Sequence, residues 1–246
     1  MSGHSKWSTI KRKKAAVDAK RGKIFTRLLR EVTIAARLGG GDPAGNPRLR
    51  SALQECKANN VPNETLARAI KKGTGELEGV DYEEITYEGY GPAGVAVLVE
   101  TMTDNRNRTV GEVRHVFSRH GGGLGENGCV NYLFEKRGYF VVDPSKMEED
   151  AFMEVALDLE VDDIETEKGA FEMFTTPERY LEVREALEER GIETEVRELA
   201  MIPSTSVVVP DDKVSQVLRF MEAMEDLDDV QNVWSNFDAN EGALAV

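Results

Sequence analysis

Between Gly138 and Pro203 the chain passes through strand, helix, two strands, helix and strand, an order that restricts its fold more than any single motif does. GYFVVD reads as a strand and EEDAFMEVALDLE as a helix. DDIETEK and AFEMFTT form a hairpin pair, PERYLEVREALEERG is a second helix and ETEVRELAMIP a closing strand. This β-α-β-β-α-β succession is the ferredoxin-like order. It begins before an earlier unit has finished. ITYEGYG and AGVAVLVETM read as strands joined by a Gly-Pro turn. A helix from about Arg108 to His120 buries Val110, Val113, Val116 and Phe117, and CVNYLFEK reads as a third strand. After the interruption come SVVVP, a helix over Asp211 to Asp226 and the strand VQNVWSNFDA. The expectation is one α/β domain, residues 138–203, inserted into another made of residues 80–137 and 204–240. Helices on one face of each antiparallel sheet give an α+β protein.

Residues 23–79 are expected to be helical. Ile24, Phe25, Leu28, Leu29, Val32, Ala35 and Ala36 follow helical spacing, with Lys23, Arg27, Arg30 and Arg37 on the opposite face and the Gly39-Gly40-Gly41 run as terminator. Asn46-Pro47 supplies an N-cap followed by proline at the first helical position, and Pro62 starts a third, short helix. Three short helices predict a small bundle. A helix-turn-helix that reads a groove is the weaker reading, because the third helix is so short.

Residues 1–22 form a basic arm with no apolar stripe. Lys6, Lys11, Arg12, Lys13, Lys14, Lys20, Arg21 and Lys23 stand against the single acid Asp18, with Trp7 beside the first of them. Lysine and arginine displace the counterions of a polyanion, and an aromatic ring can stack on a base. The whole chain nonetheless has a formal net charge of -14. Residues 1–72 hold 17 basic and 5 acidic residues, leaving 14 basic and 40 acidic ones for the remainder. An acidic body that repels nucleic acid makes any such binding local and oriented. The candidate contact set is therefore the arm with Trp7, together with Arg27, Arg30 and Arg37 on the back of the first helix.

Other motifs carry less chemistry. Gly89-Tyr-Gly-Pro-Ala-Gly94 lies between two strands, and Gly123-Leu-Gly-Glu-Asn-Gly128 precedes a strand, so neither offers the strand-turn-helix of a dinucleotide site. The second of these loops could still present backbone N–H groups to a phosphate. Arg106 and Arg108 open a helix, where an anion is favoured, and are secondary candidate anion contacts. His115 and His120, five residues apart, diverge by about 140° and do not form a shared metal site. No catalytic set, metal site or cofactor is expected. Cys56 and Cys129 lack paired spacing and read as structural thiols in a reducing compartment. With no apolar run of spanning length and no signal sequence, a cytoplasmic protein is expected.

GHSKWSTIKRKKAAVDAKRGKIFTRLLREVTIAARLGGGDPAGNPRLR, NNVPNETLARAIKKG, YEGYGPAGVAVLVE, TDNRNRTVGEVRHVFSRHGG and YLFE closely resemble the YebC/PmpR family, whose mitochondrial relative is the translational activator of cytochrome c oxidase. The resemblance implies a helical N-terminal domain and two α/β domains around a cavity, without a known catalytic centre or cofactor. It implies a role in gene expression, described for some members as DNA-binding transcriptional regulation and for others as translation at the ribosome. Two positions depart from the pattern: Arg12 where relatives often carry His, and Gly123 where many carry Asn. The expected function is that of a non-enzymatic, nucleic-acid-binding transcriptional regulator. The alternative is an RNA-binding translation factor on ribosomal RNA, and more distantly an enzyme using the cavity.

Overall fold

A computed structural model describes residues 21–167, 170–240 and 242. It opens with three packed helices, α1 (Arg21–Gly39), α2 (Pro47–Ala58) and α3 (Asn63–Gly73). Local chemistry sets their ends. The Asn46 side chain accepts from Leu49 N and caps α2, with Pro47 in the first turn, where its missing N–H costs nothing. Asn59 and Asn60, the latter at φ 57°, end α2. Val32, Ala35 and Ala36 of α1 meet Leu49, Ala52 and Cys56 of α2 and Leu66 and Ala69 of α3 in a closed apolar cluster. That burial pushes the Cys56 thiol up to about 11, which leaves it protonated and inert.

The rest is α+β. Strands β1 (Glu83–Tyr90), β2 (Ala96–Thr103), β3 (Gly123–Leu124) and β9 (Val230–Ser235) form one sheet in the order β3-β1-β2-β9, with β1–β2 and β2–β9 antiparallel. Helices α4 (Arg106–Arg119) and α7 (Asp211–Glu225) cover one of its faces. A second sheet holds β4 (Phe134–Val142), β5 (Asp163–Glu167), β6 (Ala170–Thr175) and β7 (Val196–Pro203) in the order β5-β6-β4-β7, all antiparallel, as in a ferredoxin-like plait. Its helices are α5 (Glu149–Asp158) and α6 (Tyr180–Glu189). Two short strands, β8 (Val207–Val208) and β10 (Phe237–Asp238), pair in parallel.

The continuous apolar runs in β2 and β4 follow from burial on both faces. Val97 and Val99 point to α4 and α7, whereas Ala96 and Leu98, with Trp234 of β9, pack on Tyr139, Val141, Phe174 and Ala200 of the second sheet. Phe140 and Val142 alternate away from that layer onto α5 and α6. The molecule is thus layered helix, sheet, sheet, helix.

The structure corrects one strand assignment. CVNYLFEK and GYFVVD are not two strands: Asn131–Leu133 is a 3-10 turn and β4 runs unbroken from Phe134 to Val142. Gly138, in the middle, is required by a close approach, since a Cβ there would overlap the Thr175 hydroxyl and press on Tyr180.

The helical domain is tied to both α/β units by charge. Arg48 of α2 bridges Glu31 of α1 and Glu84 of β1, which raises its own pKa and holds the Glu84 carboxyl low. Arg184 of α6, 2% exposed, reaches Glu55 of α2 at 3.1 Å.

Candidate nucleic-acid interface

Lys6, Trp7, Lys11, Arg12, Lys13, Lys14 and Lys20 lie outside the described residues, as does the side chain of Arg21. The back of α1 is fully placed, and its cations turn onto the protein, Arg27 and Arg30 partly buried and Lys23 and Arg37 still partly exposed. Lys23 Nζ donates to Asp226 O at 2.6 Å and lies 3.8 Å from the Asp226 carboxylate. The Arg27 guanidinium donates to Glu225 O. Arg30 Nη1 donates to Asp228 O at 2.6 Å and Met102 O at 3.2 Å. Arg37 binds Asp81 and the Tyr82 carbonyl. The expectation of a free basic face is corrected on this point for Arg27 and Arg30. Burial is strong enough at Arg27 to lower its pKa despite the nearby Glu225 and Asp226.

The physical reason lies at the end of α7. Its last carbonyls have no intrahelical partner, the negative end of its dipole points there, and its last turn contains no basic residue. Glu225, Asp226, Asp228 and Asp229 add charge of the same sign. Cations must come from elsewhere, and α1 supplies them. The anchor is Asp229, 1% exposed: its Oδ2 accepts from Arg108 Nη2 at 2.6 Å, Thr109 Oγ1 at 2.8 Å and Thr103 Oγ1 at 3.1 Å. Arg30 Nη1 stands 3.2 Å from its Oδ1 as a charge contact. Burial alone would raise the Asp229 pKa. The bonds from Arg108 and Thr109, with the charges of Arg108 and Arg30, outweigh it and hold the carboxyl below its ordinary value.

Arg108 is therefore also corrected as an anion contact. It is spent on Asp229 and Asp104, and the Asn105 side chain already caps its backbone N–H. Arg106, in the first turn of α4, is exposed.

The glycine loop is likewise occupied from within. Glu88, 6% exposed, accepts from the N–H groups of Gly128, Val130 and Asn131 at 2.7–2.9 Å, and Gly125 N donates to its carbonyl. Those are the donors a phosphate would need, and a carboxylate of the same chain holds them. Burial raises the Glu88 pKa, but the three N–H bonds win and leave it lowered. Glu88→Ala is expected to cost about 2 kcal/mol, since three backbone donors, that of Val130 buried, lose a charged acceptor. Hydrogen exchange at the Gly128, Val130 and Asn131 amides should rise with it. Unchanged protection of those amides would refute this role for Glu88.

Sequence reasoning missed Asp229 and Glu88, both single acids among many. A signal existed for the first: a run of acids at a helix C-terminus is unfavourable unless cations cover it. Among the described residues no three His, Cys, Asp or Glu side chains are grouped as a metal ion would need, and no helix is long and apolar enough to cross a membrane.

An N-terminal helical bundle clamped to a two-sheet α+β body defines the structural class. Residues 5–76 match the TACO1/YebC protein N-terminal domain and residues 82–237 the TACO1/YebC second and third domain. The chain belongs to the TACO1/YebC family. A relative from Syntrophobacter fumaroxidans is 56% identical over 239 residues, covering 97% of this chain and 96% of its own. One from Pelotomaculum thermopropionicum is 56% identical over 240 residues, covering 97% and 99%. Each is named a probable transcriptional regulatory protein. The crystal structure of a conserved hypothetical protein from Aquifex aeolicus superposes with a TM-score of 0.84 at 47% identity, covering 93% of this chain and 94% of that one.

Proposed function

We propose that this protein is a non-enzymatic, DNA-binding regulator of transcription. The observation that carries the reading is the polarity of charge. A surplus of 12 positive charges in residues 1–72 stands against a body with a surplus of 26 negative ones. A polyanion is attracted at one end and repelled elsewhere. The names of the relatives supply the level of action. In this reading residues 1–22 are the arm that meets phosphate and 23–79 the bundle that holds it. Residues 80–137 with 204–240 are the body on which the bundle docks, and 138–203 are its insert. Lys6, Lys11, Arg12, Lys13, Lys14, Lys20 and Arg21 neutralise phosphates and Trp7 stacks. Lys23 and Arg37, both partly exposed, form the rim of the contact.

Crosslinking in cells, followed by sequencing of the attached nucleic acid, tests the proposal. Reads clustered at promoters are expected. Reads dominated by ribosomal RNA would replace transcription with translation as the level of action.

A further inference from the structure

Arg27, Arg30 and Arg108 are engaged within the protein, and a separate group of exposed arginines lies on α4 and α7. Arg106, Arg114 and Arg119 of α4 and Arg219 of α7 are exposed, and none is paired with a described carboxylate within 4.0 Å. Residues 106–120 hold four arginines and two histidines against one acid, Glu112, within an otherwise strongly acidic body. Arg114, His115 and Arg119 all lie on the outer side of α4, opposite the buried Thr109, Val113, Val116 and Phe117. Arg219 joins them across the helix pair: it and Arg119 both act on His120, whose carbonyl accepts from Gln216 of α7.

A second observation comes from the middle of the same face. Gly111 sits inside a regular 14-residue helix, and nothing lies within 4 Å of where its Cβ would be. Glycine there weakens the helix, and no neighbour in the fold requires it. The open position leaves room for a close approach to the helix backbone.

The track also continues from the proposed interface. Lys23, near the start of α1, reaches Asp226, and Arg108, in the first turn of α4, reaches Asp229 three residues on. The N-terminal end of α4 thus lies beside the root of α1. From there the helix extends about 20 Å, on the order of six nucleotides along one strand of a duplex.

We propose that the outer face of α4, centred on Gly111 and flanked by Arg114, His115 and Arg119 with Arg219 of α7, seats the sugar-phosphate backbone of a nucleic acid strand whose other contact is the basic arm. The charge is complementary, and the helix backbone is open at the point of closest approach. This inference rests on the nucleic-acid reading above and adds a second site to it.

The test compares the full-length parent, the Arg114→Ala/Arg119→Ala/Arg219→Ala variant, Gly111→Ala and an arm variant in salt-titrated binding to a single-stranded RNA and a duplex DNA. The triple variant should lower the slope of log affinity against log salt by about 2 to 3, because each phosphate contact contributes about 0.7 on a single strand and 0.9 on duplex. Its unfolding midpoint should stay near that of the parent, since the three side chains are exposed, form no ion pair with a described carboxylate, and Arg219 donates only to the Ser215 carbonyl of its own helix. Gly111→Ala should act in opposite directions. It should raise the unfolding midpoint by about 2 to 4 °C and weaken binding while keeping the parental salt slope, because a methyl group removes no charge. A triple variant with the parental slope, or a Gly111→Ala protein that is stabilised and binds like the parent, overturns the site while leaving the arm in place. A parent that binds neither polymer removes the proposed function, and this inference with it.

Discussion

Replacing Asp229 with alanine is expected to lower folding stability by about 3 kcal/mol, the scale on which a buried charge loses its partner. Thr103 would keep a buried hydroxyl without its acceptor, while Thr109 would retain the Asn105 carbonyl. Arg30, with 13% of its side chain exposed, would lose its carboxylate and keep two backbone carbonyls and the Tyr82 ring, while the half-exposed Arg108 could turn to water. Asp229→Asn preserves shape and removes charge, so it should cost less. The pH dependence separates charge from packing. Because the folded-state pKa of Asp229 is lowered, its contribution is fully present above the unfolded value of about 3.9 and is lost as pH falls through the lower folded value. The stability gap between parent and Asp229→Asn should thus be constant at neutral pH and close below about pH 4. Denaturant unfolding across that range measures it. A gap that persists unchanged in acid would mean that packing, not the carboxylate's charge, holds the junction. Since Asp229 joins α1 to β2 and α4, its loss should also speed proteolysis between the bundle and the body.

How much could be read beforehand depended on whether the cause was local. The Asn46-Pro47 cap was legible because its chemistry spans four residues. The plait of β4 to β7 was legible because each element carries its own period and the turns between them are explicit. Gly138 misled because the reason for it, the hydroxyl of Thr175 on a neighbouring strand, is 37 positions away in the chain. The basic back of α1 misled in a different way. Helical spacing shows which residues avoid the bundle core but not whether another surface covers them, and here the end of α7, about 200 residues on, does so. Glu88 could not be found from its own neighbourhood, since the N–H groups it accepts from lie 40–43 residues away.

The arm should carry most of the salt-dependent affinity. With Arg27 held by the end of α7 and Arg30 by the turn after it, fewer cations on α1 are free to compensate, so changing Lys11, Arg12, Lys13 and Lys14 together to alanine should lower the salt slope by roughly 3 to 4. The control must remove equal charge without touching a buried partner. That rules out Arg184, which is 2% exposed and bound to Glu55 and Glu188. Lys57, Arg68, Lys146 and Arg190 are all exposed, and their ion pairs, where they have any, are of the surface kind that contributes little. Both quadruple variants carry the same net charge, so a loss of slope in the arm variant alone locates the contact, whereas equal losses would reduce it to a general effect of charge. Trp7 gives an independent optical reading, because Trp234 is 2% exposed in β9 and contributes a constant background. Quenching of Trp7 by iodide should fall when duplex DNA is added at low salt and recover as salt is raised, in step with the binding curve. If the arm variant keeps the parental slope while the control loses it, the polyanion is held by the bundle or the insert, and the placement of the interface at the N-terminus is wrong.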